Sequence, residues 1–526
     1  DSVTIVDRRA GTVELRWTDV EDTGGGALST YELRCSSTPI LDEAGWAMAS
    51  PISLGALIPG ALGTVRAPTL GGFRLGVQEY CALRAADAVG AQTPLGANGA
   101  VLLEFLQTPV TQGGSAGLGL SVGPGGDLNG DGIADLIVGG TSSAFVYFGS
   151  AVGLPASPSV SIGGPSGFGR IVTGIGDFNG DGMDDFVVSS HSESSSQGGA
   201  YVFFGRATWP ATIDVSASCA ASICFRGSDT FGFASYGLAA AGDFDADGFP
   251  DLAIGSPFAA GFVGQVYLIR GSASYVEGSE LFLPTDAGVG FEGFLIPAPA
   301  GASQFGTSLT AFAGTPGSQL VVGAPGGSGV LGSVHRISGR AQTSASLEMI
   351  TDAVLVGTGR EASFGNRVTN FGDVDGNGRA ELGVYETWLG GQTHLLHGTA
   401  SGHSTAASTL IRNNLGASGA DNFGRHRAAG AHPIFGTLGD IDGDGATDVL
   451  LGSSARAGGA GTAEIFYGGS LPAEWLRSLA DVSLAPSTSG EISAGYVGDV
   501  DGDGHLDLAV GAPLAAAGAG TFWIYH

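Results

Sequence analysis

Short apolar runs separated by turns dominate the chain. Residues 12–17 (TVELRW), 31–35 (YELRC) and 81–85 (CALRA) alternate apolar and polar positions, which is typical of half-buried β-strands. Farther along, continuous apolar runs such as residues 136–139 (LIVG) have the length and the Gly and Asp flanks of buried strands. The chain has 94 Gly among 526 residues and no G-X-Y period, so the pattern predicts an all-β protein with many tight turns.

The first hundred residues have the rhythm of a small β-sandwich. About seven short strands in this length are typical of immunoglobulin-like domains. The segments YELRCSSTPI, GWAMA and EYCALRAADAVGAQTPLG resemble bacterial fibronectin type III domains. This resemblance implies a fibronectin type III-like β-sandwich over residues 1–106.

Two cysteines of this region stand where that family usually carries inward-facing aromatic residues on neighbouring strands. Period-2 alternation places Cys35 and Cys81 each on the same face as the apolar residue two positions away. We therefore expect a Cys35–Cys81 disulfide, with two buried free thiols as the alternative. Cys219 and Cys224 lie close together in CAASIC, where a local disulfide is the simple expectation. An even number of cysteines with local partners favours an oxidising compartment.

An acidic motif recurs six times along the rest of the chain. Its copies align without gaps and start 50 to 67 residues apart where no other unit intervenes. They are GDLNGDGIADLIVG from Gly126, GDFNGDGMDDFVVS from Gly176, GDFDADGFPDLAIG from Gly242, GDVDGNGRAELGVY from Gly372, GDIDGDGATDVLLG from Gly439 and GDVDGDGHLDLAVG from Gly498. A seventh unit, from Phe305, keeps the apolar frame and lacks the acidic residues.

Each repeat reads as four strands, and seven repeats fill residues 109–526, which predicts a β-propeller. Three units close their second strand with Gly-Ala-Pro or Gly-Ser-Pro, and several open with Phe-Gly, at Phe168, Phe231, Phe305, Phe364 and Phe423. These marks resemble the FG-GAP repeat of the integrin α-subunit head. The resemblance implies a seven-bladed β-propeller of four-stranded antiparallel blades that acts in adhesion or ligand recognition.

The acidic motif has the ligand spacing of a calcium loop. In D-x-[DN]-x-[DN]-G-x-x-D, positions 1, 3 and 5 turn side-chain oxygens toward one point, position 7 offers its backbone carbonyl and position 9 closes the shell. The Gly at position 6 permits the left-handed turn around the ion. The predicted ligands are Asp127, Asn129, Asp131, Ile133, Asp135, Asp177, Asn179, Asp181, Met183, Asp185, Asp243, Asp245, Asp247, Phe249, Asp251, Asp373, Asp375, Asn377, Arg379, Glu381, Asp440, Asp442, Asp444, Ala446, Asp448, Asp499, Asp501, Asp503, His505 and Asp507. We predict about six structural Ca²⁺ ions per chain, the weakest in the loop that carries Asn377 and Glu381.

Alternatives to calcium in the acidic loops are less favourable. An EF-hand needs a Glu at position 12 and flanking helices, whereas position 12 is apolar here and lies in a strand-like run. Zinc lacks its nitrogen and sulfur ligands in this motif. Acidic turns without a metal are the remaining alternative, but clustered carboxylates repel one another unless they are neutralised. The loops hold 21 of the 50 acidic residues, which accounts for the clustering behind a net charge of −29.

Composition excludes several classes of function. An excess of 50 acidic over 21 basic residues argues against nucleic acid and anionic membranes as partners. The chain has no Lys, which excludes P-loop and Schiff-base chemistry and, with the overall composition, favours a bacterial source. A G-x-S-x-G match at residues 113–117 is expected by chance in so Gly-rich a chain. No apolar run of about 18 residues is present to insert into a membrane. We expect a secreted or cell-surface protein, and we expect that it is not an enzyme.

The leading hypothesis is an integrin-α-like module that binds a protein or glycan, and the alternative is a carbohydrate-binding or targeting module of a larger secreted enzyme. Because strands alternate in direction, turns between second and third strands emerge opposite the calcium loops. The blade-two turn starts at His191, and the blade-five turn carries Tyr385, Glu386 and Trp388. An exposed Tyr and Trp beside a carboxylate would suit ligand contact, with packing of Trp388 between blades as the alternative. No oligomeric state follows from the sequence.

Overall fold

The protein divides into two compact units in the computed structural model. The first comprises Asp1–Gln107 with Asp440–Ala446 and His526, and the second comprises Thr108–Gly439 and Thr447–Tyr525. The predicted boundary between residues 106 and 109 lies at this division. The structure describes residues 4–9, 12–18, 28–36, 40, 43–52, 65–66, 69–70, 78–87, 99–102, 107–110, 117–230, 232–284, 293–314, 317–326, 331–339, 351–356, 363–386, 392–399, 402–412, 435–441, 444–453, 461–469, 471–472, 474–476, 480, 482–484, 492–502, 504, 506–513 and 520–525. No helix within these ranges is long and apolar enough to cross a membrane.

Two antiparallel sheets form the described part of the first unit. One contains β1 (Thr4–Arg9), β2 (Thr12–Thr18), β5 (Val65–Arg66) and β6 (Thr69–Leu70). The other has the order β4 (Ser50–Ile52), β3 (Leu28–Ser36), β7 (Gln78–Asp87) and β8 (Gly99–Leu102), with helix α1 (Glu43–Met48) between β3 and β4. The β3–β7 register places Cys35 directly opposite Cys81, as the predicted disulfide requires. The two cysteine side chains lie outside the described part of the chain, so the disulfide and the fibronectin type III assignment stay predictions.

Seven sheets form the second unit, each a blade of four antiparallel strands of which the first three follow one another in sequence. Blade 1 contains β10 (Ser121–Gly126), β11 (Asp135–Gly140), β12 (Ser143–Tyr147) and β13 (Val160–Gly163). Blade 2 contains β14 (Phe168–Gly176), β15 (Asp185–Ser190), β16 (Gly199–Phe203) and β18 (Ile223–Arg226). Blade 3 contains β19 (Gly237–Gly242), β20 (Asp251–Ser256), β21 (Gln265–Ile269) and β23 (Gly293–Pro297). Blade 4 contains β24 (Ser308–Phe312), β25 (Gln319–Ala324), β26 (Ser333–Ser338) and β27 (Thr351–Val356).

The remaining three blades repeat this pattern. Blade 5 contains β28 (Arg367–Gly372), β29 (Glu381–Glu386), β30 (Gln392–Thr399) and β31 (Gly402–Arg412). Blade 6 contains β32 (Phe435–Gly439), β33 (Asp448–Ser453), β34 (Thr462–Phe466) and β36 (Val482–Leu484). Blade 7 contains β37 (Ser493–Gly498), β38 (Asp507–Ala512) and β39 (Thr521–Tyr525), and its fourth strand is β9 (Gln107–Val110). Blade 7 is therefore completed by a strand that precedes blade 1 in the sequence.

The first strands of the blades form a closed inner ring. Each of β10, β14, β19, β24, β28, β32 and β37 contacts the next, and β37 contacts β10. The apolar core lies between blades: Val122 and Val138 of blade 1 pack in one buried cluster with Val500 and Phe522 of blade 7. Similar clusters join each described pair of neighbours from blade 1 to blade 6. The predicted all-β, seven-bladed β-propeller is confirmed.

The Phe-Gly and Gly-Ala-Pro marks meet at the blade interfaces. Phe305 is fully buried, and the carbonyl of the following Gly306 lies against Gly255 at the end of the second strand of the preceding blade. A Cβ on Gly255 would be 2.0 Å from Gly306 O. The same contact of two glycines recurs where Gly139 meets Gly169, Gly323 meets Gly365, and Gly511 meets Gly119. The repeat motif thus marks the positions at which backbones of adjacent blades touch.

Three connections add a fifth strand to the outer edge of the preceding blade. They are β17 (Thr212–Asp214) on blade 1, β22 (Ser279–Phe282) on blade 2 and β35 (Glu474–Leu476) on blade 5, each parallel to the fourth strand that it covers. Each lies between the third and fourth strands of the following blade, so it joins neighbours and protects an open edge. Cys219, in the first of these connections, forms the expected disulfide with Cys224 of β18.

Candidate metal centres

The acidic loops join the first and second strands of their blades, and neighbouring loops are hydrogen-bonded to one another. Asp184 N donates to Asp127 O at 3.1 Å, and Ala134 N donates to Asp499 O at 3.2 Å across the point of ring closure. In blade 4, whose loop has no acidic ligands, Ser318 N donates to the carbonyl of Asp243. The loops therefore lie together on one face of the propeller.

In each acidic loop, the first carboxylate accepts hydrogen bonds from the turn that follows it. Asp127 accepts from Asp131 N at 3.0 Å and from Gly132 N at 2.8 Å, and Asp131 accepts from Ile133 N at 2.9 Å. Gly132 has φ +87°, in the left-handed region that the motif requires. Bonds of the first-position carboxylate recur at Asp177, Asp243, Asp373, Asp440 and Asp499. The carboxylates are held in place by the backbone before any ion binds.

The ninth-position carboxylate has a second role that sequence reasoning missed. Asp135 is fully buried, and it accepts from Leu128 N at 2.8 Å and from Gly149 N at 2.9 Å. It thereby ties the loop to the end of the third strand of its own blade. The bond to a glycine just after the third strand recurs at Asp185, Asp251 and Asp448, and Glu381 accepts the same bond from Gly398, near the end of β30. The signal for this clamp was the glycine that recurs at or just after the end of each third strand, in YFG, FFG, IRG, LHG and FYG.

Several of these carboxylates lie close enough to share a cation. Oxygens within 4.8 Å of one another occur in three described groups: Asp243 with Asp245 and Asp247, Asp373 with Asp375 and Glu381, and Asp499 with Asp501 and Asp507. In the blade-3 loop, Asp245 is buried and its Oδ1 has no hydrogen-bond partner among the described residues. A buried carboxylate oxygen without a partner is costly unless a cation lies against it. The donor set is oxygen only, which fits calcium.

The electrostatics of the loops point the same way. Burial raises the pKa of Asp135, Asp185 and Asp251 to about 7, although backbone hydrogen bonds oppose the shift. Burial also raises the pKa of Glu381 and of Asp245. A carboxylate that resists ionisation for this reason is stabilised in its charged form by a bound cation.

Nine of the predicted metal ligands have carboxylate oxygens within 4.8 Å of one another, in the three groups given above, and the other predicted ligands stay predictions. Asp442, Asp503 and His505 lie outside the described residues. In the blade-5 loop, His397 Nδ1 lies 3.3 Å from Asp375 Oδ2, so an imidazole stands beside the loop that was expected to be the weakest. The carbonyl ligation expected of the seventh positions stays a prediction.

Three of the four residues predicted to contact a ligand are buried. Tyr385 is 1% exposed and packs with Phe371 and Val449 in the cluster between blades 5 and 6, so the expected exposed tyrosine is wrong. Its place in the motif is that of Gly255, which explains why it faces the next blade. Glu386 is buried and accepts a hydrogen bond from Gln392.

His191 and Trp388 complete the set of predicted ligand residues. His191 is buried and contacts the rings of Phe233 and Tyr236, with centroids 6.2 and 5.7 Å away. It is therefore part of the core between blades 2 and 3. Trp388 lies outside the described residues.

Comparison with known families identifies the repeat. The model of the FG-GAP repeat matches residues 236–269 and 493–525, which contain the first three strands of blades 3 and 7. The model of the FG-GAP-like repeat matches residues 127–188, from the first acidic loop to the second strand of blade 2. No curated protein matches the chain. The chain therefore contains FG-GAP repeats within a seven-bladed propeller, and the matched segments lie in blades 1, 2, 3 and 7.

Proposed function

We propose that this chain is a calcium-binding, integrin-α-like recognition module that works outside the cell. The observation that carries the proposal is the set of acidic loops on one face of the propeller, whose clustered carboxylates include a buried Asp245 oxygen that has no hydrogen-bond partner among the described residues. Six such loops, each with prearranged oxygen donors, favour about six structural Ca²⁺ ions. The repeat family supports an extracellular location. The net charge of −29 argues against contact with nucleic acid.

The proposed calcium ions would stabilise the folded propeller. It would offset the repulsion among the carboxylates and fix the loops that join neighbouring blades. A site that binds calcium and is exposed to free ion at about 100 times its Kd contributes about 2.7 kcal/mol to folding stability. Several sites of this kind would make the propeller dependent on calcium.

Ligand recognition would use the opposite face. The calcium loops repeat nearly the same sequence from blade to blade, whereas the turns between second and third strands differ in length and chemistry. Binding proteins built on rigid folds usually have one uniform face that serves as the scaffold and one variable face that contacts the ligand. We propose no catalytic role, because calcium binding accounts for the clustered carboxylates. A carbohydrate-binding or targeting module of a larger secreted enzyme is the second candidate, and the polar cleft in blade 2 described below favours it.

Elemental analysis of the purified protein tests the calcium proposal. We expect about six Ca²⁺ per chain, and fewer than four would contradict the count. Chelation should lower the melting temperature of the propeller, and calcium should restore it. Asp243→Asn should remove one ion per chain, whereas Asp214→Asn, at an exposed acid outside the loops, should remove none. Pull-down on matrix proteins and a glycan array would then separate the two candidate ligand classes.

A further inference from the structure

A polar cleft of about 600 Å³ opens in blade 2 on the face opposite the calcium loops. Its floor is the turn α2 (Glu193–Ser196), its inner wall is Tyr201, and its outer wall is formed by Arg226, Glu280 and Phe282. The volume is in the usual range of small-molecule sites, about 300–1,000 Å³. The turn that forms the floor belongs to the variable face of the propeller.

A buried ionic cluster lies at the base of the cleft. The Glu193 side chain is 3% exposed, and its Oε1 accepts from Arg226 Nη1 at 2.7 Å. Its Oε2 accepts from Tyr201 OH at 2.6 Å, and burial raises the pKa of Tyr201 above its usual range, so the phenol stays a donor. Arg226 Nε donates to Glu280 Oε1 at 2.7 Å, which brings the cluster to the surface.

The neighbouring blade shows that the scaffold does not need these charges. Blade 3 has a turn of the same backbone shape, α3 (Ala259–Phe262), in which Gly264 N donates to Ala259 O as Gly198 N donates to Glu193 O. Left-handed residues occupy the second and third positions of both turns. Where blade 2 carries the buried Glu193, blade 3 carries a buried Ala259.

The register extends the comparison to the strands. Arg226 pairs with Gly199 in blade 2, and at the corresponding place Pro297 pairs with Gln265 in blade 3. A Cβ on Gly199 would lie 2.3 Å from Glu193 Oε1, so this glycine leaves the space that the carboxylate fills. Burying an ion pair costs desolvation energy that an apolar residue avoids. Blade 3 is built without this cluster, so the backbone of the blade and its turn does not require it.

We propose that this cleft binds a neutral saccharide. The inference rests on the proposed recognition function of this face and names the ligand class of one site on it. Arg226 offers donors and Glu280 offers acceptors side by side, which suits hydroxyl groups that both donate and accept. An anionic ligand would meet two carboxylates, and a cationic ligand would meet the guanidinium. A neutral polyhydroxyl ligand meets neither conflict.

The rim of the cleft supplies the second element of sugar recognition. Phe282 is 67% exposed at the end of β22, and it gives an apolar ring against which the C–H face of a pyranose can pack. The serine residues Ser192, Ser194 and Ser195 also line the cleft. A ring with one apolar face and polar edges therefore finds complementary surfaces in the cleft.

A glycan array probed with the calcium-loaded chain tests the proposal, with neutral, sialylated or sulfated, and amino-sugar glycans as the three sets of probes. We expect binding to neutral glycans, and competition by the free neutral saccharide. Phe282→Ala and Glu280→Gln should each weaken that binding by about tenfold. Val276→Ala, at a 70% exposed apolar residue that does not line the cleft, is the matched control and should bind as wild type does. Calcium content and melting temperature of each variant establish that it is folded.

Each other outcome has a defined meaning. Binding confined to charged glycans, or neutral-glycan binding that Phe282→Ala and Glu280→Gln leave unchanged, overturns the assignment of this cleft. If no glycan binds but a matrix protein is retained in pull-down, the saccharide inference fails and the recognition function stands. If neither class of ligand binds to calcium-loaded protein, both fail.

Discussion

The substitution Gly255→Ala, which adds one methyl group, tests how much the contact between Gly255 and the carbonyl of Gly306 matters for stability. Gly255 lies in the second strand of blade 3, without a positive φ, so alanine fits its backbone conformation. The added Cβ would lie 2.0 Å from Gly306 O, 2.9 Å from its carbonyl carbon and 3.2 Å from its Cα. All three neighbours are backbone atoms, and no side chain can rotate away to make room.

The size of the effect follows from these distances. Ordinary contact of a Cβ begins at 3.4 Å, so blades 3 and 4 must separate by about 1.4 Å at this point. The separation disturbs the buried cluster in which Phe305 and Leu320 pack between the two blades. Overpacking of this kind costs about 1–3 kcal/mol, and the rigid backbone places Gly255→Ala near the upper end. We expect a loss of about 3 kcal/mol in the free energy of unfolding.

Urea unfolding in saturating calcium measures this loss. Gly436→Ala is the control, because Gly436 also lies in a strand, has no positive φ and would have no atom of the described residues within 4 Å of an added Cβ. Alanine there should stabilise the protein by about 0.4–1 kcal/mol, through a lower entropy of the unfolded chain. Equal stabilities of the two variants would refute the view that the glycines of the motif set the distance between blades.

Two further predictions concern a buried histidine and a pair of cysteines. Burial, aided by the charge of Arg170, lowers the pKa of His191 to about 4, so the folded state keeps this ring neutral while the unfolded state protonates it below about pH 6.5. The contribution of His191 to stability should therefore fall between pH 6.5 and 4, by at most about 1.4 kcal/mol per pH unit, whereas the loop carboxylates with raised pKa act in the opposite direction. The difference in the free energy of unfolding between wild type and His191→Phe, from urea unfolding at pH 5 and pH 7, isolates this contribution; a difference that does not change with pH would contradict the assignment. Peptide mapping without reduction should show a Cys35–Cys81 linkage in protein exported to an oxidising compartment, and free thiols there would refute the pairing.

The sequence was sufficient to predict the repeated parts of the molecule. The acidic motif, its spacing and the Phe-Gly marks predicted seven blades, because each repeat encodes the same local structure. The blade-4 unit from Phe305 was recognisable without any acidic residue, since its apolar frame alone specifies the strands. The acidic loops were predictable for the same reason, because their residue spacing within nine positions is local.

What could not be predicted depends on neighbours distant in sequence. Tyr385 ends a strand in an apparently exposed turn, and only the packing of blade 5 on blade 6 shows that it is buried. The cleft in blade 2 unites Glu193 with Glu280, whose strand belongs to the connection of the next blade. No local pattern marks such a pairing. The second role of Asp135 likewise depends on Gly149, which lies beyond a whole strand.

The fourth strand of blade 7 has a consequence for how the protein is made. Strand β9 ends at Val110, while its partner β39 begins at Thr521, about 410 residues later. At a translation rate of about 5–20 residues per second, β9 stays without its strand partner on the nascent chain for on the order of 20 to 80 s, until β39 has been synthesised. Leu118 of blade 1, fully buried once the circle is complete, stays uncovered for the same interval. The first segment of the propeller to leave the ribosome is thus among the last to be protected from aggregation.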